Sequence, residues 1–201
     1  MTWIATIAYA DATGRLRQLY DRIKGPGGAI DNIMAAHSLR PHSMDGHLAL
    51  YKNVLHHGGN TLATWLLETI GVHVSLANGC GYCVDHHFAG LKRLLNDDAR
   101  SAAIREALAS GRYDGVFGPA EAAALRYASK LTGAPASMAR ADVDALRDAG
   151  FDDGQILEIN QCVAYFAYAN RTVLGLGVNT RGDILGLSPS DTDDPGNWAH
   201  T

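Results

Sequence analysis

Hydrophobic positions along the chain recur at helical spacing from its first residues. Between positions 11 and 24, apolar residues return every three or four places, which predicts an amphipathic helix that the glycine-rich run 25–28 ends. A similar pattern over 30–37 predicts a short second helix. Pro41 suits the opening turn of a third helix, which we expect to reach about Leu55.

The middle of the chain predicts two helices joined by a glycine. A fourth helix spans about 61–78, where the Thr61 hydroxyl is a candidate cap and Glu68 and His73 stand out as polar residues on an otherwise apolar segment. Gly79 is a suitable helix stop. A fifth helix over 80–95 then carries two cysteines in its first turns.

Further helices are predicted over 98–110, 119–131 and 141–149, each followed by glycine. The last helix is predicted to begin at Asp152, which forms a capping box with Gln155, and to reach about 176. No alternating strand pattern appears, so we expect the fold class to be all-α. We expect residues 1–178 to form one domain, and the polar tail 179–201 to be disordered or to lie across a neighbouring subunit.

Composition narrows the functional class. The 201 residues are 47% hydrophobic and 19% charged, with a net charge of −4 and no dense basic run, so nucleic acid is not an expected partner. No apolar stretch approaches the ~18 residues of a membrane span. No basic residue precedes Arg15, which argues against a secretory signal. A Cys-x-x-Cys pair among three cysteines fits a reducing compartment, and we expect a cytoplasmic protein.

The candidate chemistry centres on Cys80-Gly-Tyr-Cys83. Two sulfurs three residues apart at a helix start face the same side and can close a disulfide, and the helix N-terminus lowers a thiol pKa from about 8.5. His86 and His87 follow Cys83 at helical spacing, so Cys83 is the better activated candidate. Glu68, on the preceding helix, is placed to orient His87 or to relay its proton.

Structural interpretations compete with this one. The cysteines and the neighbouring histidines could form a zinc site, although no second ligand pair completes it. Glu68 could be a structural carboxylate, and Tyr82 a packing residue. Cys162 fits a small buried hydrophobe. We assign no role to His56, His57 or His73, and the absence of a glycine-rich phosphate loop predicts no nucleotide, flavin or nicotinamide cofactor.

The spacing of Glu68, eleven residues, Cys80-x-x-Cys83, three residues and His87 resembles the alkylhydroperoxidase D and carboxymuconolactone decarboxylase superfamily. The resemblance is strongest over 65–95, and the segments 142–151 and 158–171 look like its peroxidase-related subgroup. It implies an all-α fold, a multi-helix antiparallel bundle that assembles as a trimer or hexamer. The best-known peroxidases of the family have a histidine between the cysteines, where this chain has Tyr82.

The resemblance also implies site roles. Cys83 would attack a hydroperoxide, Cys80 would resolve the sulfenate as a disulfide, and His87 and Glu68 would move protons, with a dithiol or lipoyl-type protein as reductant. This reaction predicts a peroxidase in antioxidant defence. The alternatives are a decarboxylase or lactone-processing enzyme of the same superfamily, a branch that typically lacks the cysteine pair, and a non-catalytic zinc-binding or oligomeric scaffold.

Overall fold

The computed structural model describes residues 2–187, which fold into nine α-helices without a β-strand in that range. The helices are α1 Gly14–Ile23, α2 Asn32–Ala36, α3 Pro41–Leu55, α4 Thr64–Ala77, α5 Gly81–Leu95, α6 Asp98–Ser110, α7 Pro119–Gly133, α8 Arg140–Asp148 and α9 Asp153–Leu176. Short 3-10 turns occupy Tyr9–Asp11, Pro26–Gly28 and Pro135–Ser137. The predicted all-α fold is confirmed.

Helix α4 forms the centre of the bundle. Every residue from Leu66 to Ser75 is buried, because α5, α6, α7 and α9 all pack around this helix. Gly71 permits the closest approach, since a Cβ there would lie 2.2 Å from the ring of Phe166 on α9. Glu68 and His73, the polar residues on this otherwise apolar segment, are buried with it and therefore need partners inside the bundle.

The start of α4 differs from the expectation. The N-cap residue is Ala63, without a side-chain cap, so the predicted capping role of Thr61 is wrong. The backbone N–H of Thr61 instead donates to the Glu158 carboxylate on α9 at 2.9 Å, and Leu62 N–H does the same at 2.9 Å. The carboxylate of a distant helix thus binds this loop, and α4 begins at Thr64, three residues later than expected.

The turn between α4 and α5 fixes the cysteines. Gly79 adopts a left-handed conformation with φ of 69°, and Cys80 N–H donates to Ser75 O at 2.9 Å, which closes the helix end. Cys80 is the N-cap of α5. Asn170, completely buried on α9, accepts from the Asn78 amide at 2.9 Å and donates to Ser75 Oγ at 3.0 Å. The turn is therefore tied to α9.

Helix α9 has the predicted capping box, in which Asp152 accepts from Gln155 N–H at 2.8 Å. It ends at Leu176, where Gly177 has φ of 62°. The segment 179–187, assigned to the tail by the sequence, lies against this same chain: the Asn32 amide donates to Asn179 O and Arg181 O. Residues 188–201, and with them the tail alternatives, lie outside the described residues.

The segment ends beside α5. Arg93 donates to the carbonyl oxygens of Leu185 and Gly186, and Gly186 is buried so closely against the α5 backbone that a Cβ would lie 2.7 Å from Ala89 C. These contacts bring Leu187 to the side of α5 that carries the cysteines. Among the helices in 2–187, none is both long and apolar enough to cross a membrane.

Candidate active site

The two cysteines of the motif lie together as free thiols. Their Sγ atoms are 3.0 Å apart, and both side chains are buried at the first turn of α5. This proximity is the geometry that the three-residue spacing predicts. A disulfide bond is about 2.05 Å long, so the two sulfurs need to approach each other by only about 1 Å to form one.

The two thiols differ in acidity. The hydrogen bond between the sulfurs lowers the pKa of Cys80, and the same bond, with burial, raises the pKa of Cys83 well above its usual value. The side-chain amide of Asn170 makes a smaller contribution that lowers the pKa of each thiol and, for Cys83, only partly offsets the increase. Cys80 is thus the more acidic thiol of the reduced pair, whereas the sequence favoured Cys83 as the activated thiol.

Glu68 and His87 form a direct pair. The Nδ1 atom of His87 lies 2.7 Å from Glu68 Oε2, and the Glu68 side chain is fully buried. Because a carboxylate only accepts, the hydrogen-bond network assigns the proton to Nδ1 and leaves Nε2 as the acceptor edge of the ring. His56, which the sequence left without a role, lies with Nε2 3.8 Å from Glu68 Oε1 and 2.9 Å from the Tyr51 hydroxyl.

A small cavity connects these groups. Its volume is about 50 Å³, and since one water needs about 10–15 Å³ on a comparable measure, it has room for a few waters or a molecule of similar size. Cys83 and His87 both line it, and Cys80 is not among the lining residues. The complete lining is Asp31, Ile33, His47, Tyr51, Tyr82, Cys83, His86, His87, Tyr165, Ala169 and Leu187.

The side chains of Tyr82 and His86 are held by a carboxylate that the sequence did not single out. The Tyr82 hydroxyl donates to Asp183 Oδ2 at 2.8 Å, and His86 Nε2 lies 3.2 Å from the same oxygen. Asp183 belongs to the segment 179–187 and is separated from α5 by about a hundred residues of chain. The His86 imidazole therefore contacts the Asp183 carboxylate rather than a cysteine sulfur.

Other residues considered from the sequence lie apart from the cavity. His73 contacts Ser129 Oγ on α7 at 2.7 Å, and His57 is exposed. Cys162 is fully buried, and its thiol lies 3.3 Å from Leu67 O, as expected of a small buried residue. Over residues 2–187, no cluster of three or more His, Cys, Asp and Glu side chains has an arrangement that could hold a metal ion.

Comparison with solved structures finds two peroxidase-related proteins of the same fold. One, from Ralstonia eutropha and described as an alkylhydroperoxidase AhpD core, is 25% identical with a TM-score of 0.78, over 94% of this chain and 98% of its own. The other, from Silicibacter sp., is 26% identical with a TM-score of 0.76, over 89% and 91%. Both likenesses extend over nearly the whole chain.

A third structure, the debrominase Bmp8 in its apo form, shares the fold at 20% identity and a TM-score of 0.69, over 87% of this chain and 89% of its own. Among proteins with curated functions, none matches this sequence. The model of the carboxymuconolactone decarboxylase family matches residues 41–130, which include Glu68, Cys80, Cys83 and His87. That match over the site and the likenesses over the whole fold confirm that the chain resembles the alkylhydroperoxidase D and carboxymuconolactone decarboxylase superfamily.

Proposed function

We propose that the protein is a thiol-dependent hydroperoxidase of antioxidant defence, in which Cys83 is oxidised to a sulfenate and then forms a disulfide with Cys80. One observation carries the proposal: the two Sγ atoms lie 3.0 Å apart, and only Cys83 of the pair lines the cavity that it shares with His87. A substrate in the cavity would meet Cys83 first. Cys80 lies directly behind it, where a resolving thiol is needed.

The first step converts Cys83 to the sulfenic acid. The Cys83 thiol gives its proton to His87, and the Cys83 thiolate attacks one oxygen of the hydroperoxide. The S–O bond forms as the O–O bond breaks, so sulfur loses two electrons and the peroxide gains them. The leaving alkoxide or hydroxide takes a proton relayed by His87, whose charge the buried Glu68 carboxylate stabilises at 2.7 Å.

The second step closes the disulfide. The Cys80 thiolate attacks the Cys83 sulfur, the S–O bond breaks, and the hydroxide leaves as water after it gains a proton. Two thiols and one hydroperoxide thus give a disulfide, an alcohol or water, and one further water. A dithiol, on a small molecule or a lipoyl-type protein, then reduces the disulfide by exchange. The assembly proposed for this enzyme is a homotrimer or homohexamer.

The test measures intact mass and free thiols before and after one equivalent of hydroperoxide. We expect the wild-type protein to lose two hydrogens and two of its three thiols. The matched variants separate the roles: Cys80→Ser should accumulate a sulfenic acid that dimedone traps, and Cys83→Ser should not react. The control is Cys162→Ser, which should behave as the wild type because Cys162 is buried away from the cavity.

Two results would contradict the proposal. Full peroxide turnover by Cys83→Ser with a dithiol would assign the attack to another group. Thiols that react with no hydroperoxide would instead favour the carboxymuconolactone decarboxylase-like reaction or a non-catalytic scaffold. Zinc bound at a stoichiometric amount in the purified protein would favour the scaffold over the decarboxylase.

A further inference from the structure

Two polar side chains in the cavity have no part in the chemistry proposed above. They are Asp31, which precedes α2, and His47, on α3. Buried polar groups in folded proteins nearly always have a hydrogen-bond partner, and those that lack one call for an explanation. His47 has a buried ring nitrogen without a partner among the described residues, and a ligand that occupies the cavity would supply that partner.

His47 presents a buried hydrogen-bond donor. Its side chain is 4% exposed, and burial, followed by the nearby His37 and His87 imidazoles, lowers its pKa to about 3, so the ring is neutral. The Tyr165 hydroxyl lies 3.5 Å from Nε2. With Nε2 as the acceptor for that hydroxyl, the proton belongs on Nδ1, which is buried and has no hydrogen-bond partner among the described residues.

Asp31 presents an acceptor. An aspartate at a helix N-cap ordinarily accepts a hydrogen bond from the first turn of the helix, but the Asp31 side chain makes no capping bond. The N–H of Asn32 donates instead to the Asp183 carboxylate, with oxygens at 3.1 and 3.2 Å. Because Asp183 takes over this position, the carboxyl of Asp31 is left facing the cavity, where burial raises its pKa to about 6.

The rest of the lining limits what else can bind. Only Ile33, Ala169 and Leu187 among the lining residues lack a polar side chain, and the volume is about 50 Å³. The carboxylates of Asp183 and Glu68 lie directly behind the lining histidines. A long alkyl chain would therefore lack room in the cavity, and an anionic substrate would meet negative charge.

We propose that Asp31 and His47 select small uncharged hydroperoxides that carry a second O–H besides the one on the attacked oxygen, of which hydrogen peroxide is the simplest. His47 Nδ1–H donates to a peroxide oxygen, and Asp31 accepts from the second O–H of hydrogen peroxide. An alkyl hydroperoxide has a carbon atom in place of that hydrogen and cannot form this bond. The inference rests on the proposed function, since it names the substrate class of the same thiol site. Both residues are specificity determinants and take no proton or electron in the reaction.

The test compares the second-order rate constants of disulfide formation with hydrogen peroxide and with cumene hydroperoxide. We expect the wild type to favour hydrogen peroxide by at least about tenfold. His47→Phe and Asp31→Leu should each slow the reaction with hydrogen peroxide about tenfold and leave that with cumene hydroperoxide unchanged or faster. The amide of His47→Asn can donate a hydrogen bond from near the Nδ1 position. This variant should therefore react with hydrogen peroxide faster than His47→Phe and nearly as fast as the wild type.

The matched control is His57→Asn, an exposed histidine outside the cavity, which should leave both rate constants unchanged. Equal slowing with both hydroperoxides in His47→Phe and Asp31→Leu would assign these residues a structural role and overturn the inference. So would a wild type that favours cumene hydroperoxide. A failure of the proposed function looks different, because the wild-type thiols would then react with neither hydroperoxide.

Discussion

The cavity has two walls, and both carry histidines, but the groups next to these histidines differ between the walls. The α5 wall consists of Tyr82, Cys83, His86 and His87, and the N-terminal wall of Asp31, Ile33, His47 and Tyr51. On the α5 wall each imidazole has a carboxylate within 3.2 Å: Glu68 for His87 and Asp183 for His86. On the N-terminal wall, His47 has another imidazole, His37, as its ring neighbour at 5.0 Å.

This difference separates proton transfer from hydrogen bonding. The Glu68 carboxylate fixes the Nδ1–H edge of His87 and leaves Nε2 as an acceptor, which suits the proton relay proposed for this ring. Burial beside a second imidazole destabilises the charged form, and the lowered pKa of His47 keeps it a neutral donor. The identity of the group behind each histidine thus decides what that histidine can do.

The largest expected effect comes from making the α5 wall resemble the N-terminal wall. Glu68→Gln keeps the size of the side chain and removes the negative charge behind His87. We expect disulfide formation to slow about 100-fold, the usual size of a lost general acid or base contribution. Stopped-flow measurement with hydrogen peroxide checks this.

The control is Glu158→Gln, which changes a carboxylate that holds the loop before α4 and lies outside the cavity lining. It should leave the rate unchanged. If Glu68→Gln reacted as fast as the wild type, the pair of Glu68 and His87 would be structural, and the contrast between the two walls would have no chemical meaning.

The next effect concerns acid stability and the N-terminal wall. The pKa of His47 is about 3 in the fold against 6.5 in the unfolded chain, so its contribution to stability is complete above pH 6.5 and is lost as the pH falls toward 3. The loss reaches at most about 1.4 kcal/mol per pH unit in this window. His47→Asn, which cannot titrate, should show a correspondingly shallower fall in the free energy of unfolding.

Urea unfolding at pH 4, 5, 6 and 7 measures both slopes. His37 and His73 also have pKa values lowered by burial, but they are present in both proteins, so the difference between the slopes reports His47. Parallel curves for the wild type and His47→Asn would mean that His47 is charged in the folded protein.

The smallest effects test the elements behind the two walls with a matched pair of glycines. Gly71→Ala on α4 would press on Phe166, whose ring packs edge-on against His87 at 4.6 Å. We expect a loss of about 1–3 kcal/mol in the free energy of unfolding, together with slower disulfide formation. Gly46→Ala on α3 meets nothing within 4 Å and should stabilise the helix by about 0.5–1 kcal/mol.

Chemical denaturation and the single-turnover rate are measured for both variants. Gly46→Ala should leave the rate unchanged, because the new methyl group faces solvent. A stability loss in Gly71→Ala without any change in rate would show that the position of His87 does not depend on Phe166.

Much of the α5 wall could be predicted from the sequence, because its parts are close along the chain. Glu68, Cys80, Cys83 and His87 occupy two consecutive helices joined by a glycine turn, so helical spacing brings them together. Spacing could not identify the partner of each imidazole. Asp183 lies 97 residues from His86, so helical spacing alone predicts that His86 can approach Cys83.

The N-terminal wall was harder to predict, because long-range contacts form it. Asn32 and Asp183 are 151 residues apart, so the sequence gives no hint that Asp31 is released from its capping role. His47 did carry a signal: it lies with Met44, Leu48 and Tyr51 on the buried face of α3. A histidine on such a stripe marks a buried polar group, although only the fold shows what lies beside it.

The helix boundaries also divide into those that the local sequence predicts and those that depend on long-range contacts. The cap of α9 was predicted because Asp152 and Gln155 are near neighbours, whereas the start of α4 was not, because Glu158 lies 97 residues from Thr61. Local sequence predicts contacts within one helix turn. Contacts between distant segments depend on how α4, α5 and α9 assemble.

The burial of Cys162 has a consequence for disulfide isomers. Three cysteines permit three different pairings, but Cys162 is completely buried on α9 behind Leu67, and burial raises its thiol pKa well above the usual value. A thiolate at that position is strongly disfavoured, so exchange with the other two sulfurs requires the bundle to open. Of the three pairings, the native fold therefore favours the proposed Cys80–Cys83 disulfide. The proposed cycle of oxidation and reduction would then return the chain to the same covalent structure without an isomerase.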